Sequence, residues 1–495
     1  MPAAAIDKIR RHPVFKLLGS AAAAADGEVF LVGGTLRDAL VGRWPVVDWD
    51  LAVTSKPRAF AEAVARKLRG TCFTLHESTQ IYRVSTKPRK GKAAVQVDVA
   101  RLQGRSIEED LARRDFTMNA MALRIAAEKN TLLDPHAGRE DLRRGKLRCV
   151  RERAFQEDPL RLMRAFRLAA QFDLEIDPRT LKAVRAHRKL ISRSAAERIR
   201  HELMGLLATP SSARWIGLLD RTGLLTEILP ELEAGRRCAE VYYGKGGVLK
   251  HTLNVLERMD FLLKNLERVY PKLAKPIREH SARAALLRLA CVLHDVAKPA
   301  TARRIKGRLR FFGHEGRGAD MADKILKRLR FSGEERALLR PMIAHHLRPG
   351  NLAANRVVSD KAVFRFFRDL GAHGISLLLL CWADHASYLS APALRSALRF
   401  VREDPHTFPP TRVRSPATRK TLYHLQVISF LLDRYFSRPD TVRPKQLLDG
   451  HAIMKALNMR PGPKVGEILR LVEEAQAEGR LKTKKDALRW VGLTF

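Results

Sequence analysis

Asp48 and Asp50 stand two residues apart in Val47-Asp48-Trp49-Asp50-Leu51, shortly after Gly33-Gly34-Thr35-Leu36-Arg37-Asp38. In a strand, residues i and i+2 share a face, so both carboxylates point one way while Trp49 and Leu51 turn to a core. Two hard oxygen ligands held side by side suit a pair of Mg²⁺ ions. The glycine pair ends the apolar run Val29–Val32, lets backbone N–H groups approach a polyphosphate, and puts Arg37 on the helix that follows. D-x-D alone is an ordinary surface pattern; joined to G-G-x-x-R-D at this distance it reads as a nucleotide and metal site.

Two further segments carry compatible chemistry. In Arg113-Arg114-Asp115-Phe116-Thr117-Met118-Asn119, Arg114 can meet triphosphate oxygens, while Asp115 and Asn119 either orient the ribose or fix Arg114; a capped helix start is the plainer reading. Asp98, polar amid Val95-Gln96-Val97-Asp98-Val99, is either a third carboxylate near the metals or a strand-edge residue. In Glu157-Asp158-Pro159-Leu160-Arg161, the acids and Pro159 suit a helix N-terminus, and the spacing predicts Asp158 and Arg161 as neighbours on the helix surface, with Arg164 a turn further. A carboxylate accepts and a guanidinium donates. Cytosine and adenine present an amino donor beside a ring-nitrogen acceptor, and guanine and uracil the reverse. One Asp–Arg pair therefore accepts C and A, because the other bases leave polar groups unpaired. Arg164 and Arg167 remain for phosphates. An intrahelical ion pair is the alternative.

A second constellation lies downstream. His294-Asp295-Val296-Ala297-Lys298 ends an apolar helix, with His251, His314, the doublet His345-His346 and Asp384 on either side in sequence. Adjacent His and Asp serve one metal centre only if their helix faces a pocket and other helices supply further ligands. Arg304-Ile305-Lys306-Gly307-Arg308-Leu309-Arg310 suggests a cationic β-ribbon that follows an RNA backbone, or a solvated hairpin.

The elements that must position these residues fall into an α+β order. To about residue 145, short apolar runs (Val29–Val32, Leu51–Val53, Val95–Val99) alternate with helical segments such as Pro57–Leu68, and Lys87–Lys92 reads as a basic turn between strands. Asp134-Pro135-His136-Ala137-Gly138 reads as a tight turn closing this part. Beyond Phe155 helical periodicity takes over, with breaks near Gly235–Gly247 and Pro405–Pro416. A chain of 495 residues suggests about three or four domains. Its 92 Lys and Arg against 53 Asp and Glu give a net charge of +39, which draws a polyanion such as nucleic acid. Five cysteines without a C-x-x-C indicate neither a disulfide scaffold nor a thiolate zinc site, and fit a reducing cytoplasm. The longest apolar run, Ile375–Ala383, is too short to span a bilayer, and Ala21–Ala25 passes too soon into the glycine motif for a signal segment.

In this order the motifs resemble class II tRNA nucleotidyltransferases, the CCA-adding enzymes of the polymerase-beta-like superfamily, and the related bacterial poly(A) polymerases. The likeness runs over about residues 28–205, including Ala196-Glu197-Arg198-Ile199, which is similar to the family's neck helix. It implies a polymerase-beta-like nucleotidyltransferase head (1–145), an all-α neck for base selection and RNA binding (146–235), an HD domain (236–400) and a helical tRNA-contacting tail (401–495). By that resemblance Asp48 and Asp50 hold Mg²⁺ and are catalytic. Gly33, Gly34, Arg37, Arg114, Asp115, Asn119, Asp158, Arg161, Arg164 and Arg167 bind the nucleotide, and C and A are added to tRNA 3′ ends from CTP and ATP with release of pyrophosphate. Thr35-Leu36 and His136-Ala137 depart from the family's usual residues.

The His/Asp series resembles HD metal-dependent phosphohydrolases. The resemblance implies a first ligand set of His251, His294, Asp295 and Asp384, extended to two metals by His314 and His345 or His346, with Lys298 facing a phosphate. The metal is a divalent transition ion or Mg²⁺. Gly450–Leu457 and the helix through Glu474 look like the tail of bacterial CCA-adding enzymes, whose basic residues (Arg480, Lys482, Lys484, Lys485) suit tRNA contact or simply solvation. Rival readings are a poly(A) polymerase, an A-adding or CC-adding specialist, and an HD phosphohydrolase whose head only binds RNA.

Overall fold

The computed structural model describes residues 2–44, 48–88, 94–125, 132–354, 358–404 and 415–495. Val47, Arg89–Lys92 of the expected basic turn and most of the Pro405–Pro416 break lie outside the described residues. The chain divides into two compact units, 1–195 with 222–227, and 196–221 with 228–495.

The first unit is built on a seven-stranded sheet of order β3-β4-β5-β2-β1-β6-β7. Its strands are β1 (Val29–Val32), β2 (Asp48–Val53), β3 (Thr71–His76), β4 (Ile81–Ser85), β5 (Gln96–Arg101), β6 (Ala122–Arg124) and β7 (Leu132–Leu133). Only β2 and β5 run parallel, and their register sets Asp48 opposite Gln96 and Asp50 opposite Asp98. Strand alternation then sorts β2. Trp49, Leu51 and Val53 face a core with Val97 and Val99, covered by the helices Pro13–Ala22 and Pro57–Leu68. The expected helix Pro57–Leu68 forms with Pro57 in its first turn, where no N–H is needed. Ala21 and Ala22 of the alanine run are buried in the first of these helices.

The opposite face is divided. Phe30, Val32 and Ala52 are covered by Ile107 and Leu111 of the helix Ile107–Ala112, whose cap is Ser106 accepting from the Glu109 N–H. The polar remainder, Asp48, Asp50 and Asp98, lines a cleft. The tight turn forms as expected: Asp134 accepts from the backbone N–H groups of Gly138 and Arg139, and a Cβ on Gly138 would stand 2.0 Å from the Thr117 carbonyl oxygen. After a short parallel pair, β8 (Lys146–Leu147) with β9 (Glu175–Ile176), the helix Arg161–Phe172 completes the cleft.

Among the described residues the regular structure of the second unit is helical apart from the hairpin β10 (Arg303–Ile305) and β11 (Arg308–Arg310). The run Ile375–Ala383 lies within the helix His373–Ala386 and is buried throughout. No described helix is long and apolar enough to cross a membrane. Asp260 and Arg288 form a buried ion pair at 2.6 Å, and Asp260 also accepts from Ser212 and the Ala213 N–H, which satisfies the buried carboxylate. The C-terminal helices Gly450–Leu457, Pro463–Ala477 and Lys484–Thr494 enclose their own core of Ile453, Ile468, Val472 and Val491. Glu474 of that group accepts from Lys361, Arg365 and Arg368 on the helix Asp360–Leu370, which holds its carboxyl at about 2.

Candidate active sites

One cleft of about 820 Å³ is lined by all twelve residues expected around a nucleotide. At its floor Gly33 adopts φ 69°, the left-handed region that glycine tolerates, and a Cβ there would press on Arg114 (3.1 Å) and the Asp50 carboxylate (3.3 Å). The Gly34 N–H donates to the Asp50 carboxylate. Burial first, and then the neighbouring charge of Asp98, push the Asp50 carboxyl upward, so the ionised pair calls for a cation between them. Asp48 is exposed on the same face. This donor set, carboxylate oxygens only, fits Mg²⁺.

Asp98 is not at a strand edge. It sits on β5, between β4 and β2, and accepts both Nε and Nη2 of Arg83 at 2.7 Å. Arg83 lines the cleft and carried no motif; only the register of β4 with β5, which sets Arg83 beside Asp98, reveals it.

The arginines are fixed by partners that differ from expectation. Arg114 is held by Asp110 (3.0 and 3.1 Å), not by Asp115 or Asn119. Asp110 lies one helical turn before Arg114, so the i, i+4 spacing was a usable signal. Asp115 instead contacts Arg164 (3.1 Å) and accepts from Asn119 Nδ2 (3.0 Å). Asn119 Oδ1 in turn accepts from Arg37 Nη1 (2.8 Å). Burial opposes the charge on Asp115, but Arg164, Asn119 and the Phe116 N–H outweigh it and hold the carboxyl below its usual range. Arg37, itself buried, lies over the Phe172 ring, and burial lowers its pKa. Asp115 and Asn119 thus tie two cleft arginines into one network.

The expected helical neighbours Asp158 and Arg161 are arranged otherwise. Pro159 disfavours helical backbone at the residue before it, and Asp158 is extended (φ −140°, ψ 96°) ahead of a helix that begins at Arg161. Arg161 Nη1 donates to the Ala154 carbonyl (3.2 Å) and lies 3.8 Å from Glu157. Both side chains still line the same cleft, as does Arg167, which donates to Gln171.

In the second unit six side chains converge from different helices. His251, His294 and Asp384 form one group and Asp295, His314 and His346 another, each with its donor atoms within 4.8 Å of one another. Asp295 reaches both: its Oδ2 is 3.4 Å from His251 Nε2 and 3.2 Å from His294 Nε2, and its Oδ1 is 3.4 Å from His314 Nε2. The choice within the doublet falls on His346, which is buried; His345 stands outside both groups, half-buried near Arg348. His346 follows the helix Gly333–Ala344 with its Nδ1 tied to the Ile343 carbonyl, which turns its Nε2 into the centre and leaves His345 outside it.

The imidazoles are preset. His294, His314 and His346 each turn Nδ1 to the carbonyl three residues earlier (Cys291, Phe311, Ile343) at 2.7–2.8 Å, leaving Nε2 bare toward the centre. His314 and His346 then bring two Nε2 atoms within 3.3 Å, which suits a cation and not a hydrogen bond alone. Burial lowers His346 to about 4, keeping it neutral as a ligand must be. His251 is raised, because Asp295 and Asp384 outweigh its burial. Buried His251 Nε2, His294 Nε2, Asp295 Oδ1 and Asp384 Oδ1 make no hydrogen bond, so the residues fit a pair of divalent ions. Lys298 does not face open space: its Nζ donates to Asp295 Oδ2 (2.5 Å) and Tyr243 Oη (2.8 Å), and Asp295 raises its pKa. Tyr243, which sequence reasoning placed only in a glycine-rich break, stacks on His251 at 4.5 Å.

The comparisons agree with this anatomy. Residues 29–148 match the poly(A) polymerase head domain, 173–235 the probable RNA and SrmB-binding site of polymerase A, 248–389 the HD domain and 432–491 the second domain of tRNA nucleotidyltransferases. The chain is 33% identical to the A-adding tRNA nucleotidyltransferase of Deinococcus radiodurans, covering 93% of this chain and 94% of that protein. It is 32% identical to the CC-adding tRNA nucleotidyltransferase of Thermus thermophilus, over 94% of each. The fold is that of the Thermotoga maritima CCA-adding enzyme, with a TM-score of 0.64 at 19% identity, over 97% of this chain and 96% of that one. The chain is a nucleotidyltransferase and belongs to the tRNA nucleotidyltransferase family.

Proposed function

We propose that this protein adds C and A to tRNA 3′ ends from CTP and ATP, releasing pyrophosphate. The observation that carries the reading is a single cleft in which Asp48, Asp50, six arginines and the Asp158–Arg161 segment meet. Asp158 offers an acceptor and Arg161 donors, the pattern that C and A complement and G and U do not. Arg37, Arg114, Arg164 and Arg167 bind and orient the triphosphate, and Asn119, Asp110 and Asp115 keep the forks of the first three in place. Asp48 and Asp50 would hold Mg²⁺, which supplies charge neutralisation for the triphosphate and acidifies the attacking 3′-hydroxyl.

Incubating the protein with tRNA lacking one, two or three terminal nucleotides and each labelled NTP tests this. Addition of C, C and A in turn is expected. A second reading, restriction to A or to CC alone, is favoured by the names of the two relatives that span nearly the whole chain. The same assay separates it, because a CC-adding enzyme ignores ATP and an A-adding enzyme ignores CTP. UTP or GTP incorporation would overturn both.

The six-residue centre supports a second activity, metal-dependent phosphatase or phosphodiesterase action on RNA ends. A transition ion such as Mn²⁺, Fe²⁺ or Ni²⁺ suits its imidazole and carboxylate donors, and Mg²⁺ suits them less. Hydrolysis of a 2′,3′-cyclic phosphate that follows metal content checks it. Head (1–145), neck (146–235), HD domain (236–400) and tail (401–495) are the division of labour this reading uses. The tRNA substrate and five free cysteines favour a cytoplasmic location.

A further inference from the structure

We infer that the hairpin β10–β11, with Tyr242 and Phe312, is a single-stranded RNA platform that leads a strand to the dinuclear centre. Lys306 (φ 48°) and Gly307 (φ 74°) make the tight two-residue turn of a β-ribbon. Arg303 and Arg310 stand directly opposite each other, and Arg308 opposes Ile305. Cross-strand partners share a face, so three arginines crowd one side of two three-residue strands. Like charges so placed destabilise a ribbon. Arg303, Arg304, Lys306, Arg308 and Arg310 are all exposed, and among the described residues no carboxylate pairs with any of them. The repulsion is relieved by a polyanion.

Aromatic faces adjoin the charge. Phe312 is 75% exposed two residues past the ribbon, and Tyr242 is 51% exposed with its hydroxyl donating to the Leu309 carbonyl at 2.8 Å. Exposed aromatic rings beside a cationic track are what stacked bases and their backbone require. An acidic peptide would satisfy the arginines but leave these rings uncovered. The path ends at the metal ligands: Phe311 gives its carbonyl to His314 Nδ1 (2.7 Å), and Tyr243, next to Tyr242, stacks on His251. The identity of the strand as RNA rests on the proposed function.

The test uses the full-length protein and a short single-stranded RNA carrying 4-thiouridine, with a crosslink map and a Kd measured across a salt series. Crosslinks at Tyr242 and Phe312 are expected. The triple variant Arg304→Glu/Lys306→Glu/Arg308→Glu should abolish them, raise Kd about tenfold, and flatten the salt slope by about 0.7 for each phosphate no longer neutralised. Phe312→Ala should raise Kd about fivefold or more with the slope unchanged. Nucleotide addition to tRNA, retained in both, reports that they fold. Crosslinks only elsewhere, unchanged Kd and slope in the triple variant, or an acidic peptide binding the ribbon in place of RNA would overturn the platform. If crosslinks stay on the ribbon while no cyclic phosphate is hydrolysed, the hydrolytic reading alone falls; if a mononucleotide is hydrolysed but the crosslinks are absent, the platform alone falls.

Discussion

The cleft and the six-residue centre solve the placement of ionised side chains in opposite ways. In the cleft, arginines and aspartates line an open volume of about 820 Å³, and most are anchored to one another, as Arg37 is through Asn119 and Asp115 to Arg164. In the centre, His251, His294, Asp295, His314 and His346 are nearly inaccessible, and four donor atoms are left without a hydrogen bond. The first arrangement, the metal-seeking Asp50 aside, is anchored without a guest and leaves space for one. The second is expensive until an ion fills it, because an unpaired buried charge costs several kcal/mol.

That contrast can be broken most severely at Asp48 and Asp50. Asp48→Ala or Asp50→Asn should lower nucleotide addition by about three orders of magnitude while cyclic-phosphate hydrolysis and metal content of the centre persist, measured on the same preparation. Asp295→Ala should do the reverse, emptying the centre of metal by elemental analysis and sparing addition; a joint loss would mean that the two sites are not independent. Chelation of the wild type should lower its thermal midpoint, since an ion present at a thousandfold excess over Kd contributes about 4 kcal/mol. The doublet sharpens this: His346→Ala should lose metal and His345→Ala should keep it.

A smaller effect is expected at Asp158. Asp158→Asn adds a donor where an acceptor stood and should cut the preference for C and A over G and U by about tenfold or more, read as the ratio of kcat/KM values, before it abolishes turnover. The smallest concerns stability. Glu474, held at about 2, contributes above the ordinary carboxylate range, and its contribution falls away as pH drops through about 2. Glu474→Gln should therefore lower the denaturation midpoint at pH 7, and the difference from wild type should shrink steadily in acid.

Periodicity and motif order made much of this legible. Val29–Val32, Pro57–Leu68 and the helix ending at His294 follow from apolar spacing, and β2 from alternation. Partner choice was less accessible. The pairing of Arg114 with Asp110 has the i, i+4 spacing of one helical turn, but that of Asp115 with Arg164 depends on how distant segments meet, and no spacing encodes it. Asp158 left the helix because a local rule, the restriction before proline, overrode the i, i+3 pattern. The choice of His346 over His345, and the positions of Arg83 and Asp98, needed the rotation of a helix end and a strand register, which arise from packing across the fold.

Thr35, one of the two departures from the family pattern, has a consequence of its own. Its buried hydroxyl donates to the Asp48 carbonyl (2.8 Å) and accepts from the Asp50 N–H (3.3 Å), so it is tied to both cleft carboxylate positions through their backbone. The residue belongs to the turn that would grip phosphates. A load applied to that turn by an arriving triphosphate is thereby borne by the carboxylate strand as well, and the two parts act as one stiff lever instead of two hinged pieces.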